Sequence, residues 1–375
     1  ACISRPSIKN LKWDAIESYD LGWDLAFLKG KVELTAEVYR KNTRDLLLNA
    51  LLPTSSGYSS AMKNVGSIRN QGLEISLSTK NIKTKKFSWN SDFNITFNDS
   101  KILSLNESQD KLFSTPAYIS QFNANPLYIS EVGQPVGMFF GFVWEGTYKY
   151  EDFDNPSPGV YKLKTGVANN GTDNVQPGDI KYRDLNNDGT IDPFDITIIG
   201  RGLPIHTGGF NNNFTYGNLS LNVFLQWSYG NQIYNANRNP FDGNSNTFRL
   251  FNQFATYADR WSPENPNSDI YRTRGQGEIG WHSSRVVEDG SYLRLKTVAL
   301  DYRIPAKYLK PLNIKSLIFG VAGQNLFTWT KYSGMDPEVS VRNATLVPGF
   351  DYSAYPKSRT FTAGEDIARG ANPLA

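Results

Sequence analysis

The 375-residue chain carries 39 basic and 36 acidic residues, and its net charge of +3 is spread along the sequence rather than massed. This pattern gives no indication of nucleic-acid binding. Aromatic residues make up 13% of the chain and Gly contributes 31 residues, which is typical of strands joined by polar turns. No run of about 18 apolar residues occurs, so a transmembrane helix is excluded, whereas barrel strands need only one apolar face.

A β-hairpin is predicted near the start of the chain, with strands over 19–28 and 32–39 and a turn at Lys29 and Gly30. In the second strand apolar and polar residues alternate strictly, which places every second side chain on the same face. The residues of the predicted apolar face are Val32, Leu34, Ala36 and Val38.

The same alternation recurs in later segments, at 72–79, 87–97, 219–226, 292–302 and 314–327. We predict about ten to twelve strands in all, several of them near the roughly 9–11 residues that a tilted transmembrane strand requires. Soluble strands average about 5–6 residues. Strand length therefore favours an all-β, antiparallel membrane barrel. A large soluble all-β protein is the alternative, and the alternation alone does not tell which face contacts lipid.

Long stretches without regular alternation separate some of these strands, at 103–136 and 235–284, with an insert rich in Gly, Asn and Asp at 152–195. Loops of this length are uncommon in compact soluble domains and are usually functional or mobile. Outer-membrane barrels combine short periplasmic turns with long extracellular loops. We therefore expect these stretches to be extracellular loops.

The insert contains a segment, 184–195, whose spacing matches a calcium-binding loop of the EF-hand type. The predicted ligands are Asp184, Asn186, Asp188, Thr190 through its backbone carbonyl, Asp192 through a water, and Asp195. Gly189 permits the sharp turn, and Ile191 is expected to attach the loop to the hydrophobic body. No helix is predicted on either side, so the sequence favours a structural calcium ion. A turn that satisfies its own backbone amides is the alternative.

Aromatic residues in the predicted loops could stack on sugar rings of a ligand, with loop packing or a membrane-interface girdle as the alternative. These residues are Tyr118, Phe122, Tyr128, Phe241, Phe251, Trp261 and Trp281. Trp329 and Tyr332 are expected to belong to the girdle or to be structural. The chain has two histidines, His206 and His282, and neither lies in a metal-ligand or triad-like pattern, so no enzyme is predicted.

A series of short phrases occurs along the chain: LKW at 11–13, YDLG at 19–22, DLLL at 45–48, SGY at 56–58, NVG at 64–66, RNQGLE at 69–74, VGQPVG at 132–137, PGDIKY at 177–182, FNNNF at 210–214, RWSPENP at 260–266, VEDGSYLRLK at 287–296, GQNLFTW at 323–329 and DPE at 336–338. Together, from about residue 11 to residue 362, these phrases resemble the SusC/RagA family of TonB-linked outer-membrane proteins, in the family's usual order.

The resemblance implies an energised transporter in the outer membrane of a Bacteroidetes-type Gram-negative cell, with a barrel on the order of 22 strands around a plug. It implies a SusD-like surface lipoprotein and the TonB complex as partners, outer-membrane lipid around the barrel, and a glycan or peptide as substrate. The plug and the TonB-contacting segment are expected to precede this chain. Residues 1–375 are then part of the barrel wall with its outer loops.

The end of the chain departs from the family pattern. Residues 355–362, YPKSRTFT, resemble the approach to the family's last strand, whereas 363–375 lack both alternation and a terminal aromatic residue. We therefore expect an atypical C-terminal tail over 363–375. The alternatives to an importer are a passive porin and a soluble or surface-exposed, calcium-stabilised β-protein that binds carbohydrate.

Overall fold

The computed structural model describes residues 11–51, 60–64, 66–105, 109–120, 122–123, 125–157, 159–172, 174–242, 252–275, 282–341 and 345–369. Its strands are β1 Ala15–Phe27, β2 Val32–Arg44, β3 Leu47–Leu51, β4 Ser60–Asn64, β5 Ser67–Lys83, β6 Phe87–Ser104, β7 Lys111–Ser114, β8 Tyr128–Glu131, β9 Met138–Phe142, β10 Trp144–Thr147, β11 Phe153–Ser157, β12 Val160–Leu163, β13 Ile180–Tyr182, β14 Ile196–Arg201, β15 His206–Tyr216, β16 Leu219–Tyr229, β17 Gln232–Asn235, β18 Val287–Asp289, β19 Tyr292–Arg303, β20 Ile314–Thr330, β21 Phe350–Asp351 and β22 Thr360–Arg369. The α-helices are α1 Arg238–Phe241 and α2 Ala306–Leu309, and single 3-10 turns lie at Tyr150–Asp152, Pro193–Asp195, Ala255–Asp259, Ser284–Val286 and Lys310–Leu312.

The longest strands form one open antiparallel sheet in the order β1-β2-β5-β6-β15-β16-β19-β20-β22. Strand lengths in this sheet run from the 10 residues of β22 to the 18 of β6, at or above the roughly 9–11 that span a bilayer when tilted. The predicted portion of an antiparallel membrane barrel is confirmed. The described sheet has nine long strands rather than ten to twelve, because the other strands are short and lie in the connections.

The predicted hairpin is the β1–β2 pair, which closes with Phe27 opposite Val32. Its turn uses positive φ at Leu28, Lys29 and Gly30, of 52°, 59° and 75°. Leu25 faces Leu34 across the two strands, in line with the predicted apolar face.

The two faces of the sheet differ in chemistry because every second residue points the same way. We call one side the outward face, which is apolar and contains Leu21, Leu25, Leu34, Val38, Leu73, Ile75, Leu77, Phe93, Phe210, Val223, Leu225, Leu295, Leu300 and Val321. The inward face is polar and contains Asp24, Thr35, Glu37, Glu74, Ser78, Asn94, Asn211, Asn222 and Gln226. Two polar residues on the outward face, Ser91 and Asn212, hydrogen-bond each other at 2.7 Å.

Aromatic residues border the aliphatic band of the outward face at both ends of the strands. One row contains Phe27, Phe87, Trp89, Phe214, Tyr216, Tyr302 and Phe319, and the other contains Tyr19, Phe97, Trp227, Tyr229, Phe327, Trp329 and Phe361. Ten residue steps separate Phe87 from Phe97, or about 33 Å along a strand. With the usual tilt this spans about 25 Å of apolar height. The outward face thus has the pattern of a lipid-facing wall, and Trp329 lies in its girdle.

The connections at the two ends of the sheet are unequal. At the turn end the chain crosses between strands through 28–31, 84–86, 217–218 and 304–313, whereas at the loop end it uses 45–66, 105–205, 230–291 and 331–359. This asymmetry is the one predicted for periplasmic turns and extracellular loops. In the described part of the chain no helix is long and apolar enough to cross a membrane.

The hydrophobic core lies outside the sheet, where the connections 105–205, 230–291 and 331–359 pack together as a cap. One cluster joins all three connections and contains Leu127, Tyr128, Phe139, Tyr234, Ala236, Val286, Val347 and Phe350. A second cluster attaches the 152–195 insert to Tyr271 and includes Ile191, which is 2% exposed, as predicted. The loop segments are therefore folded against one another.

The segment expected to be an atypical tail, 363–375, is described as far as residue 369. Strand β22 continues to Arg369 and pairs with β20 from Thr360 opposite Gln324 to Arg369 opposite Ile314. Backbone pairing does not require alternating side chains, and Ala363 and Gly364 impose no steric barrier to it. Residues 370–375 lie outside the described residues.

Candidate functional site

The predicted calcium loop folds into a set of side-chain-to-backbone hydrogen bonds. Asp184 accepts from the amides of Asn187 and Gly189 at 2.6 and 2.8 Å. Asp188 accepts from the amide of Thr190 at 2.8 Å and from the side chain of Asn186 at 2.9 Å. Gly189 has φ +89°, the turn geometry that the motif requires.

Asp195 closes this loop from a fully buried position. Its carboxylate accepts from the amides of Leu185, Asn186 and Asp192 at 2.8, 3.4 and 2.9 Å, while Asp192 caps Phe194 at 2.8 Å. Among the described residues no group of three or more His, Cys, Asp or Glu side chains is arranged to hold a metal ion. The loop therefore satisfies its own backbone amides, and calcium binding stays a prediction.

Three of the aromatic residues predicted to contact ligand are buried in the cap. Phe122 and Tyr128 are 0% exposed, and the Tyr128 hydroxyl donates to the carbonyl of Pro348 at 2.9 Å. Trp261 is 8% exposed and covers Gly178, whose φ of +87° brings its backbone against the indole ring. In this structure all three rings pack inside the cap, which agrees with the alternative of loop packing, and their contact with a ligand stays a prediction.

The remaining predicted aromatics differ in position. Tyr118 stacks on Phe122 at 5.8 Å and packs edge-on against Phe350 at 5.1 Å, so its ring belongs to the cap core. Phe241 lines an open groove beside Phe254, with ring centroids 5.5 Å apart. Phe251 and Trp281 lie outside the described residues.

This groove has a volume of about 800 Å³ and runs between two of the connections that form the cap. Residues from 230–291 and 331–359 line it, and they include both apolar and polar side chains. The apolar lining residues are Phe241, Phe254, Ala255, Ile270, Met335, Val339, Ala354, Tyr355 and Pro356. Met335 and Tyr355 are 80% and 93% exposed, so they form a hydrophobic rim that a ligand could contact.

Asp351 is the lining carboxylate with fewest partners. It is 3% exposed, its Oδ2 accepts from the Tyr332 hydroxyl at 2.5 Å, and its Oδ1 has no hydrogen-bond partner among the described residues. Burial and the neighbouring carboxylate of Asp351 raise the pKa of Tyr332 well above its usual range, so Tyr332 remains a hydrogen-bond donor. The Asp351 carboxylate is thus enclosed between the Tyr332 hydroxyl and the lining of the groove.

Two ion-pair networks hold the walls of the groove. Arg238 pairs with Asp242 at 2.6 Å and with Glu288 at 3.3 Å. Arg294, on the inward face of β19, pairs with Asp336 at 2.5 Å and with Glu338 at 3.0 Å. The second network fastens the 331–359 connection to the barrel wall.

Sequence reasoning did not single out these charged residues as a site. Arg294 and Asp336 are 42 positions apart, and Tyr332 and Asp351 belong to different turns of one connection. The one sequence signal for these residues is that Glu288 and Asp336 lie in phrases that resemble the SusC/RagA family.

His282 lies in the aromatic core of the cap as a neutral side chain. It is 0% exposed, contacts the Tyr234 hydroxyl through Nδ1 at 3.0 Å, and reaches the carbonyl of Asn125 through Nε2 at 3.3 Å. Burial lowers the pKa of His282 to about 4. The hydrogen-bond pattern is consistent with a proton on Nε2, which donates to Asn125, and with Nδ1 accepting from Tyr234.

Comparison with known proteins shows where this architecture occurs. A family model described as TonB dependent receptor-like, beta-barrel, matches residues 4–163. The TonB-dependent receptors P3 and P26 of Formosa agariphila are each 34% identical, over 95% and 97% of this chain. The TonB-dependent receptor SusC of Bacteroides thetaiotaomicron is 27% identical over 96% of the chain. The chain spans about a third of each relative, or 34%, 36% and 33%.

Solved structures share the same fold. The RagAB peptide importer in its open-open state matches 98% of this chain and 36% of its own chain, with a TM-score of 0.77 and 21% identity. A second RagAB structure matches 95% of the chain with a TM-score of 0.74. The apolar outward wall, the folded loop cap, the family model and the relatives agree, and this chain belongs to the β-barrel portion of the TonB-dependent receptors of the SusC/RagA type, in the outer membrane of Bacteroidetes-type bacteria.

Proposed function

We propose that this chain supplies barrel wall and outer loops to an energised importer of oligosaccharides or peptides. The observation that carries the proposal is the groove in the cap, which opens among the loops at the extracellular end of a membrane wall. Its hydrophobic rim and its polar lining residues suit a ligand with apolar faces and hydrogen-bonding groups. Sugars and peptides both have these properties, and the names of the relatives are those of receptors and transporters.

The partners in this proposal are a SusD-like surface lipoprotein over the cap and the TonB complex on the periplasmic side. The structural relatives named RagAB support a two-component importer, and SusC supports the same type. A tagged full-length receptor that contains this chain should co-purify with a SusD-like lipoprotein from outer membranes. Recovery of the receptor without such a lipoprotein under mild detergent conditions would count against this partner.

Uptake by whole cells tests the transport function and the groove together. In the full-length receptor, Phe241→Ala removes a groove wall, and we expect it to lower uptake of labelled oligosaccharide or labelled peptide several-fold. Phe194→Ala is the matched control, because Phe194 is 81% exposed and lies in the calcium-like loop away from the groove lining. Of the labelled oligosaccharide and the labelled peptide, the one whose uptake falls in the Phe241→Ala receptor identifies the substrate class.

A protonophore separates an energised importer from a passive pore. We expect it to abolish uptake by the wild-type receptor, since TonB-linked transport draws on the energised inner membrane. Uptake that persists with the protonophore would establish a passive porin instead. Equal uptake by the Phe241→Ala and Phe194→Ala receptors would place the substrate path outside the groove.

We also propose that the 184–195 loop binds a structural calcium ion. The spacing of Asp184, Asn186 and Asp188 supports the proposal, and even a millimolar site would be occupied in an extracellular medium. If calcium binds, the 152–195 insert would need the ion to stay folded. A turn that satisfies its own backbone amides would keep its shape without the ion.

Limited proteolysis tests the calcium proposal. A chelator should speed cleavage of the 152–195 insert in the wild-type receptor, and Asp188→Ala should have the same effect without chelator. Asp154→Ala is the control, because Asp154 is an exposed carboxylate of the same insert outside the loop. If chelator and Asp188→Ala both leave the cleavage rate unchanged, the loop binds no calcium.

A further inference from the structure

A group of cations lies on the outward face at the loop end of the sheet. The register places Arg40 two residues beyond Val38 on β2, Arg69 on β5 and Lys101 opposite it on β6. Val38 belongs to the apolar band, so Arg40 and its neighbours face the same way as the lipid-contacting residues. We call these residues and Arg44, together with Arg201 of β14, which lines the same surface depression as Arg40, the basic collar; its members are Arg40, Arg44, Arg69, Lys101 and Arg201.

The collar has more positive than negative charge. Glu17 and Asp99 are the carboxylates on the same outward rows, so five cations less two carboxylates leave a net charge of +3. Arg44 pairs with Glu17 at 2.9 Å, and Arg69 donates to the side chain of Asn42 at 3.3 Å. Within the described ranges no carboxylate lies within 4.0 Å of the charged groups of Arg40, Lys101 or Arg201. Arg201 donates through Nε to the carbonyl of Leu203 at 3.0 Å, which leaves its terminal nitrogens for an anion.

A surface depression of about 500 Å³ lies among these residues. Val38, Phe97 and Ile205 supply its apolar part, and Arg40 and Arg201 supply cations beside it, with Asp99 also in the lining. Val38 and Phe97 are residues of the apolar outward face, so the floor of the depression continues into the band that acyl chains contact. The depression is therefore apolar toward the membrane core and cationic toward the outside.

This arrangement matches an anionic lipid. The collar begins immediately beyond the aromatic row at the loop end, which is the level of the lipid headgroups in the outer leaflet. Arginine binds phosphate through two parallel N–H donors, and a lysine adds a further positive charge. Acyl chains would lie against Val38 and Phe97 while the headgroup meets the collar. A free anion or an acidic protein would make no use of the apolar floor.

We propose that the basic collar binds a phosphate-bearing lipid of the outer leaflet of the outer membrane. This site lies on the outward face of the wall. The proposal therefore does not depend on what the receptor transports.

Lipid retention by the full-length receptor in detergent micelles tests the proposal. The probes are phosphorylated lipid A, the same lipid after phosphatase treatment, and inorganic phosphate, and native mass spectrometry counts the lipid retained. We expect the wild-type receptor to retain the phosphorylated lipid in preference to the dephosphorylated one. Each cation removed in Arg40→Gln, Lys101→Gln and Arg201→Gln should weaken retention roughly five-fold, and the triple variant about a hundredfold.

Two controls keep the comparison specific to the collar. Lys41→Gln removes a charge from the position next to Arg40, on the inward face, and the Lys85→Gln, Lys86→Gln pair removes charges from the turn end. Both should retain lipid as the wild-type receptor does. Arg40→Lys keeps the charge and should retain most of the binding, which separates charge loss from misfolding.

Three results would overturn the proposal. Equal retention of the phosphorylated and dephosphorylated lipids would show that phosphate is not recognised. A loss in Lys41→Gln as large as that in Arg40→Gln would show a general effect of net charge. Displacement of the lipid by inorganic phosphate at the lipid's own concentration would show a free-anion site rather than a lipid site.

Discussion

At the scale of single residues, His282 makes the cap sensitive to acid. Its pKa of about 4 in the folded state lies below the ordinary value of 6.5, so the unfolded chain binds the proton more tightly. Its contribution to stability is complete above pH 6.5 and is lost as the pH falls from 6.5 to about 4. The full loss corresponds to roughly 3 kcal/mol. We expect proteolysis of the cap to accelerate over this pH interval.

His282→Gln tests this pH dependence, because glutamine cannot take up the proton. We expect the variant to be less stable at neutral pH and to show a flatter dependence of cap proteolysis between pH 6.5 and 4. His206→Gln is the control, since His206 lies on the sheet at the start of β15 rather than in the cap core. A slope in His282→Gln equal to that of the wild-type receptor would assign the acid sensitivity to the carboxylates of the cap.

At the scale of residues, the sequence marks a local structure only where the partners are close in the chain. The side chains of Asp184, Asp188 and Asp195 bond to atoms within ten residues of themselves, so spacing alone identified this turn. Asp351 and Arg294 derive their roles from folded connections, and no local pattern marks them. Phe122 and Tyr128 are buried, which the sequence does not show, because exposure depends on how distant loops pack.

At the scale of elements, Arg294 links β19 to the 331–359 connection. It is 2% exposed, and Arg294→Met would leave Asp336 and Glu338 without their buried partner. The loss of one member of a buried pair costs about 3–5 kcal/mol. We expect faster hydrogen exchange at backbone amides of 331–359, while the amides of β20 keep their protection. The backbone amides of β20 pair with β19 and β22 and do not use the Arg294 side chain, so exchange in β20 is the internal reference.

Lys357→Met is the matched control, because Lys357 contacts the same Glu338 carboxylate at 2.6 Å from a partly exposed position. An exposed pair contributes about 0–1 kcal/mol, so exchange in 331–359 should change little. Similar exchange in the Arg294→Met and Lys357→Met receptors would show that the connection is held by its apolar contacts.

The strands differ in how far the sequence predicts them. The wall strands have one apolar and one polar face, and the resulting alternation marked β2, β5, β6, β16, β19 and β20. Strand β8 is buried on both faces, so it has no alternation, and only folding of the cap defines it. Strand β22 lacks alternation over its second half and still pairs, because β20 offers it a complete backbone edge.

At the scale of the whole molecule, the two faces of the wall meet different surroundings, lipid outside and polar surfaces inside. Leu77 and Ser78 are neighbours on β5, and they face outward and inward respectively, opposite Leu34 and Glu33. Leu77→Arg would place a charge near the middle of the apolar band, at a cost of about 2–4 kcal/mol. Ser78→Arg would place the same charge near Asp92, which already accepts a hydrogen bond from Ser78 at 2.8 Å.

We therefore expect Leu77→Arg to lower the amount of folded receptor recovered from outer membranes, and Ser78→Arg to leave it near the wild-type level. Heat-modifiable mobility on gels measures the folded fraction, and the two variants differ only in the face that carries the charge. If both substitutions reduce the folded fraction equally, β5 does not separate lipid from the interior. If Ser78→Arg alone reduces it, the face assigned here as outward would be the inner surface of the wall.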